Sequence, residues 1–205
     1  MSWLARLRRR TPLLAVRWVV VDCETSGLDA RCDRLLAIGA VTVRAGRVEL
    51  ADSFAAVLRQ AEASEPANIL VHGLGAEAQR GGRPAAEALE GFRAFLADGV
   101  PVAFHAAFDA EVLRRALPQR IPRRWLDLAT LAPALYPARA QSCRSLDDWL
   151  HAFAIEPHAR HHALGDAFSA AQLLLVLLAE AERQGAATLE SLLAAARGSR
   201  WLAPR

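Results

Sequence analysis

Runs of β-branched and apolar residues, separated by turn signals, dominate the N-terminal third of the chain. Three of these runs, at residues 16–22, 35–43 and 48–58, predict β-strands, with an Ala-Gly turn between the last two. Because tight turns join neighbouring antiparallel strands, we expect these three to form an antiparallel meander. Two shorter apolar runs, at 102–104 and 125–128, predict short strands that follow helical crossovers and therefore run parallel.

Helical spacing of apolar positions replaces this pattern further along the chain. Leu89, Phe92 and Leu96 recur at helical intervals after Pro84, which is tolerated where a helix begins. Further helices are predicted over residues 107–117, from Ser145 onward, over 163–183 and over 189–197. Residues 65–82 are expected to form a loop, because they contain a proline and several glycines. The order of elements favours an α/β fold, a mixed sheet of three antiparallel and shorter parallel strands flanked by helices.

Length, charge and cysteine content narrow the class of protein. The 205 residues suit one domain over 16–197, with a basic N-terminal extension at 1–15 and a tail at 198–205 that we expect to be disordered. A net charge of +3 permits a nucleic-acid partner without demanding one. Three cysteines without CxxC spacing indicate a reducing compartment, and charged residues interrupt the one run that resembles a signal peptide. We therefore expect a cytoplasmic protein with no membrane association.

Acidic residues carry the candidate chemistry. Asp22 and Glu24 follow a buried strand, and the period of two in a strand places both side chains on the same side. Two adjacent carboxylates repel each other unless a cation lies between them, and Mg²⁺ or Mn²⁺ prefers such oxygen ligands. Asp109 and Asp166 fall in the first turns of predicted helices, where the helix dipole alone also favours a carboxylate. His161 lies in the predicted loop before Asp166, next to His162 as a competitor for any catalytic role.

Three short sequence motifs together resemble those of one known protein family. They read DCETSGL from Asp22, HAAFD from His105 and HHALGDA from His161. In order and spacing they resemble the three motifs of the DEDDh 3′–5′ exonucleases, the family of the proofreading epsilon subunit and of RNase T, over roughly residues 16–180. The segments Val71-His72-Gly73-Leu74 and Ser145-Leu146-Asp147 resemble further, weaker features of that family.

The resemblance implies a ribonuclease H-like fold and a two-metal hydrolase. Asp22, Glu24, Asp109 and Asp166 would bind two Mg²⁺ or Mn²⁺ ions, and His161 would take the proton of the attacking water. The product would be a nucleoside 5′-monophosphate, released without a covalent protein intermediate. Ala106 departs from the family pattern, in which an Asn is common at this position.

The resemblance also implies which residues would contact the substrate. They are Thr25, Leu28, His72, His105 and Phe108. The expected substrate is single-stranded nucleic acid, DNA rather than RNA, in a proofreading or repair role. Two alternatives remain open: an RNA-trimming exoribonuclease, or a catalytically silent member that binds nucleic acid or a protein. The expected protein partner is a DNA polymerase subunit or a second copy of the chain.

Overall fold

A five-stranded mixed sheet forms the centre of the protein. The structure, a computed structural model, describes residues 11–117, 121–158 and 160–198. The strands are β1 (Trp18–Thr25), β2 (Leu35–Arg44), β3 (Arg47–Val57), β4 (Val100–Ala103) and β5 (Leu126–Asp127). They lie in the order β3-β2-β1-β4-β5, antiparallel between the first three and parallel from β1 through β5. The predicted fold class, an antiparallel meander with shorter parallel strands, is confirmed.

Eight α-helices surround this sheet in the described part of the chain, after a short 3-10 turn at Leu13–Ala15. They are α1 (Pro66–His72), α2 (Ala76–Gly81), α3 (Ala85–Leu96), α4 (Ala106–Ala116), α5 (Leu128–Leu135), α6 (Leu146–Ala152), α7 (Ala163–Arg183) and α8 (Leu189–Gly198). At the start of α6, the Ser145 hydroxyl accepts from the backbone N–H of Asp148, and the Asp148 carboxylate accepts from that of Ser145. Such a reciprocal cap satisfies two backbone donors at the start of the helix.

The central strand β1 has helices on both of its faces. Val20 packs in the hydrophobic cluster that contains α7, whereas Val19 and Val21 pack in the cluster that contains α3 and α4. Because side chains alternate along a strand, Asp22 and Glu24 project on the same face as Val20. The core packing of β1 therefore directs both carboxylates toward α7.

The prediction of a loop at residues 65–82 is wrong. The segment forms α1 and α2, which are separated by Gly73 in the left-handed conformation at a φ of 67°. Pro66 opens α1 at its first position, where the absent N–H costs nothing, and the glycine ends that helix. The proline and the glycine therefore mark the boundaries of a short helix.

Helix α5 is a second element that the pattern does not predict, since the apolar run at 125–128 continues into it after only two strand residues. Helix α7 is long and apolar enough to cross a membrane by length and composition, but 61% of its apolar window is buried inside the domain. It serves here as the core helix. Most of the predicted basic extension and nearly all of the predicted C-terminal tail lie outside the described residues.

Candidate active site

Three carboxylates from two elements converge at one point of the structure. Asp22 and Glu24 of β1 and Asp166 of α7 each offer a carboxylate oxygen, and these atoms all lie within 4.8 Å of one another. Asp166 is buried, and the other two are partly buried. A group of three oxygen donors at this spacing suits a hard divalent cation.

A glycine of β2 makes the convergence possible. Gly39 pairs with Asp22 across the β1–β2 ladder, and the N-terminus of α7 rests directly on it. A Cβ at Gly39 would lie 2.2 Å from the backbone of Ala163 and Leu164, a distance that real atoms do not reach. The absent side chain therefore lets α7 approach the sheet closely enough to bring Asp166 to the β1 carboxylates. A glycine inside an apolar strand is a signal of such close approach.

Asp109 lies beside this group without belonging to it. It is buried on α4, which packs on the opposite face of β1 from α7. Interaction with Cys23 lowers the pKa of its carboxylate against the larger effect of burial, and among the neighbouring charges that of Asp109 raises the pKa of Asp22 most. The structure thus brings together three of the four predicted ligands, and it holds the fourth next to Asp22 and turned toward Cys23.

Burial and mutual repulsion make this group hard to ionise without a cation. Burial, followed by the charges of Asp109, Glu24 and Asp166, raises the pKa of Asp22 well above its ordinary value. Burial and the charge of Asp166 raise the pKa of Glu24 to about 7. Burial also raises the pKa of Asp109 to about 7. A bound cation would remove this penalty, so the residues present fit a divalent metal site.

One arginine supplies positive charge to the carboxylates. The guanidinium of Arg160 donates a hydrogen bond to Oδ1 of Asp166. Its Nη2 donates to Oδ2 of Asp147 at 3.1 Å, and its Nε lies 2.6 Å from Oδ1 of the same residue. The charge of Arg160 lowers the pKa of both Asp22 and Glu24, against the larger effect of burial. The sequence motifs did not predict a role for Arg160, although this residue directly precedes His161.

The two candidate histidines lie at the start of α7, and both are exposed. The backbone N–H of His161 donates to Oδ2 of Asp166 at 3.1 Å, and His161 adopts a left-handed φ of 60°. His162 lines a groove of about 270 Å³ together with Glu24, Ala163 and Leu164. The backbone of His161 therefore touches a candidate metal ligand, whereas His162 lies along the adjoining groove.

Comparison with known proteins decides the family. A family model described as Exonuclease matches residues 19–174, which is most of the chain. The chain belongs to the exonuclease family. The resemblance to the DEDDh 3′–5′ exonucleases that the motifs indicated is thereby confirmed.

Several relatives of this exonuclease domain are named as bacterial DNA polymerase III components. A PolC-type protein of Thermotoga maritima is 30% identical over 162 residues, covering 77% of this chain and 12% of the relative. An epsilon-like protein of Rhodobacter capsulatus is 33% identical over 190 residues, covering 89% of this chain and 27% of the relative. The epsilon subunit of Treponema pallidum is 27% identical over 173 residues, covering 82% of this chain and 80% of the relative. The chain thus spans a small part of the first two relatives and most of the third.

A solved structure shows the same fold. Exonuclease I of E. coli, in complex with a dT13 oligonucleotide, matches with a TM-score of 0.70 at 18% identity. The match covers 82% of this chain and 42% of exonuclease I. At 18% identity, this match shows a shared fold, which is the ribonuclease H-like fold that the resemblance implied.

The residues predicted to contact the substrate differ in how exposed they are. Leu28 is 95% exposed, just after β1. The buried Thr25 donates its hydroxyl hydrogen to the carbonyl of Gly27 at 2.6 Å, which fixes the turn that presents Leu28. Exposed His105 precedes α4, and Phe108 is half-buried against the core cluster of α3 and α4.

His72 is in a setting that the motif does not predict. It is 3% exposed, and its Nε2 lies 2.7 Å from Oδ1 of Asn68 and 3.2 Å from Oγ of Ser64. Its Nδ1 accepts the backbone N–H of Leu74 at 2.9 Å, and burial lowers its pKa. With both ring nitrogens bonded internally, His72 holds α1 in place and is not presented to a ligand.

Proposed function

We propose that this exonuclease domain, residues 16–197, is a metal-dependent 3′–5′ exonuclease that hydrolyses the ends of single-stranded DNA. The observation that carries the proposal is the convergence of Asp22, Glu24 and Asp166, with Asp109 beside Asp22. These carboxylates would hold two Mg²⁺ or Mn²⁺ ions. When bound, such ions activate a water molecule and stabilise the charge that develops on the leaving 3′-oxygen.

The chain's own residues would position the substrate and move the proton. The groove of about 270 Å³ beside Glu24 has room for the terminal nucleotide, and exposed Leu28 could contact its base. His161 would accept the proton of the attacking water on a ring nitrogen, once its side chain turns toward Asp166. As the water oxygen bonds to phosphorus, the P–O3′ bond would break, the leaving 3′-oxygen would take a proton from solvent, and a nucleoside 5′-monophosphate would leave. No side chain needs to form a covalent bond with the phosphate.

The relatives support DNA as the substrate and a replicative setting. Two solved exonuclease I structures are complexes with the oligonucleotides dT13 and dA16, and several relatives are named as DNA polymerase III proteins. By analogy, we propose a cytoplasmic enzyme that acts on unpaired DNA ends, with a DNA polymerase subunit or a second copy of the chain as protein partner.

Digestion of end-labelled oligonucleotides tests the proposal. Matched single-stranded DNA and RNA are incubated with Mg²⁺ or EDTA, and the products are resolved by length and by thin-layer chromatography. We expect Mg²⁺-dependent release of 5′-monophosphates from the 3′ end, faster on DNA, and loss of this activity in Asp22→Asn. Asp98→Asn, which changes an exposed carboxylate in the loop before β4, is the matched control and should retain full activity.

The possible outcomes separate the alternatives. Faster hydrolysis of RNA would move the assignment to an exoribonuclease. A wild-type preparation that binds oligonucleotide and releases no nucleotide would favour the catalytically silent binding protein. Equal activity in wild type and Asp22→Asn would overturn the proposed site.

A further inference from the structure

A second concave region lies against α4. Its volume is about 290 Å³, and α4, α5, α8 and the residues before β5 enclose it. Ala106 and Ala110 form its wall on α4, and Arg114, Arg123, Arg124 and Trp125 lie around it. We call it the arginine cavity. It shares no lining residue with the groove beside Glu24.

The charge of the arginine cavity is mostly unneutralised. Arg114 forms an ion pair with Glu111 at 2.8 Å. Arg123 and Arg124 are exposed, and neither forms an ion pair or a side-chain hydrogen bond with another residue in the described part of the chain. The acidic residue of the lining, Asp127, accepts the backbone N–H groups of His105 and Ala129 at 3.2 and 3.0 Å. Its charge is thus directed at the backbone, and the arginines remain available to an anion.

An aromatic ring lies among these arginines. Trp125 is half-buried, and its indole N–H donates to the carbonyl of Pro122 at 3.0 Å. This bond restrains the ring while part of it stays open to the cavity. Positive charge that follows a phosphate backbone, together with a fixed ring on which a base can stack, is the combination that binds unpaired nucleic acid.

The topology places the arginine cavity on the course of a strand that leaves the carboxylates. Strands β1, β4 and β5 run parallel, so Asp22 near the end of β1 and Asp127 at the end of β5 lie toward the same edge of the sheet. Helix α4 borders both regions, because Asp109 lies next to Asp22 while Ala106 and Ala110 line the cavity. A helix with its side chains is about 10 Å across, which a short oligonucleotide can span.

We propose that the arginine cavity binds the substrate strand upstream of its 3′ end, with phosphates at Arg123 and Arg124 and a base against Trp125. This inference rests on the proposed function, because it assigns a further binding region to the same nucleic acid. It also gives a role to Ala106, whose small side chain leaves open the space at the α4 wall of the cavity.

Binding of fluorescein-labelled dT20 in EDTA, which prevents hydrolysis, tests the cavity apart from catalysis. The test variant is Arg123→Gln/Arg124→Gln. The control is Arg44→Gln/Arg47→Gln, which removes the same charge from the exposed β2–β3 turn at the opposite end of the sheet. Two lost phosphate contacts should lower the slope of log affinity against log salt by about 1.4 and weaken binding at low salt by at least about tenfold. The control should match wild type in slope.

Hydrolysis of a single-nucleotide ester, thymidine 5′-(p-nitrophenyl phosphate), provides the second measurement. The cavity variant should cleave this ester at the wild-type rate, while its KM for dT20 rises by about tenfold. Trp125→Leu should weaken dT20 binding by about fivefold or more without changing the salt slope.

Three results would overturn the inference. One is an unchanged salt slope for the cavity variant, which would mean that Arg123 and Arg124 do not contact phosphates and would favour a protein partner instead. Another is an equal loss in the Arg44/Arg47 control, and the third is equal loss on the ester and on dT20. If wild type binds dT20 through the cavity yet cleaves neither substrate, the proposed function fails while the binding region stands.

Discussion

The guanidinium of Arg160 donates a hydrogen bond to Asp166, the carboxylate through which α7 joins the candidate metal site. The same guanidinium also forms an ion pair and a hydrogen bond with Asp147 of α6. A fixed positive charge thus occupies one oxygen of a group whose remaining carboxylates repel each other. It stabilises the group without a metal and would compete with a metal for the Asp166 carboxylate.

We expect Arg160→Gln to bind divalent cations more tightly than wild type. Removing a unit positive charge about 4 Å from a bound cation changes the cation's interaction energy by about 1 kcal/mol or more, which corresponds to at least a fivefold lower Kd. Calorimetric titration with Mn²⁺ measures this change. Arg93→Gln, which removes an exposed guanidinium from α3, should bind like wild type. Weaker Mn²⁺ binding in Arg160→Gln would show instead that the arginine orients Asp166 for the metal.

Gly39→Ala should move Asp166 of α7 away from Asp22 and Glu24 of β1. The added methyl group would occupy the position of the α7 backbone at Ala163 and Leu164, so the helix must move away from β2. Overpacking of this kind costs about 1–3 kcal/mol of unfolding free energy. It also carries Asp166 away from Asp22, so Mn²⁺ affinity and nuclease activity should fall by far more than the folded fraction does.

Gly81→Ala is the matched control for that substitution. Nothing lies within 4 Å of a Cβ built at Gly81 on α2, so the same chemical change meets open space. Urea denaturation and Mn²⁺ titration of both variants separate stability from metal binding. If Gly39→Ala binds Mn²⁺ normally, the close approach of α7 to β2 is not what assembles the site.

The metal-free protein should become less stable as the pH rises toward neutrality. Burial raises the pKa of Glu24 and of Asp109 to about 7 in the folded state, whereas their ordinary values are 4.5 and 3.8. Between those values the folded protein binds more protons than the unfolded chain, so the free energy of unfolding falls with rising pH. In EDTA we expect each of the two carboxyls to contribute a loss of about 1–3 kcal/mol between pH 5 and pH 8, measured by urea denaturation.

Divalent cations should reverse that loss. Metal binding requires deprotonated carboxylates, so Mg²⁺ should restore stability at pH 8 and have little effect at pH 5. The double variant Glu24→Gln/Asp109→Asn supplies the control, because its stability in EDTA should change much less over the same pH range. A wild-type protein that is more stable at pH 8 than at pH 5 in EDTA would contradict the assignment of the raised pKa values.

Part of the site follows from sequence periodicity alone. The period of two in β1 places Asp22 and Glu24 on one face, and the structure confirms that geometry through the packing of Val20 against the α7 cluster. The position of Asp166 at the start of the long helix also follows from the pattern. What periodicity does not give is how closely that helix approaches the sheet, which depends on a missing side chain at Gly39.

Other features depend on contacts between residues that are distant in sequence. Gln79 is fully buried, and its amide joins Ser64 to the carbonyl of Leu74, which stabilises α1 and α2 in a segment whose composition resembles a loop. The pairing of Arg160 with Asp147 likewise links α6 to the start of α7. Local propensity contains no information about such pairs, so the sequence pattern missed both.

The adjacent histidines allow a paired test of the proton acceptor. We expect His161→Asn to lower kcat by 10²- to 10⁴-fold, the usual loss when a general base is removed. Mn²⁺ affinity should survive, because Asp166 accepts the backbone N–H of His161, and Asn tolerates the left-handed φ of 60° at this position. His162→Asn changes a neighbour that is also exposed, along the groove of Glu24, and should alter kcat by less than about threefold. The measurement is single-turnover hydrolysis of end-labelled DNA, and a larger loss in His162→Asn would transfer the role of the base to His162.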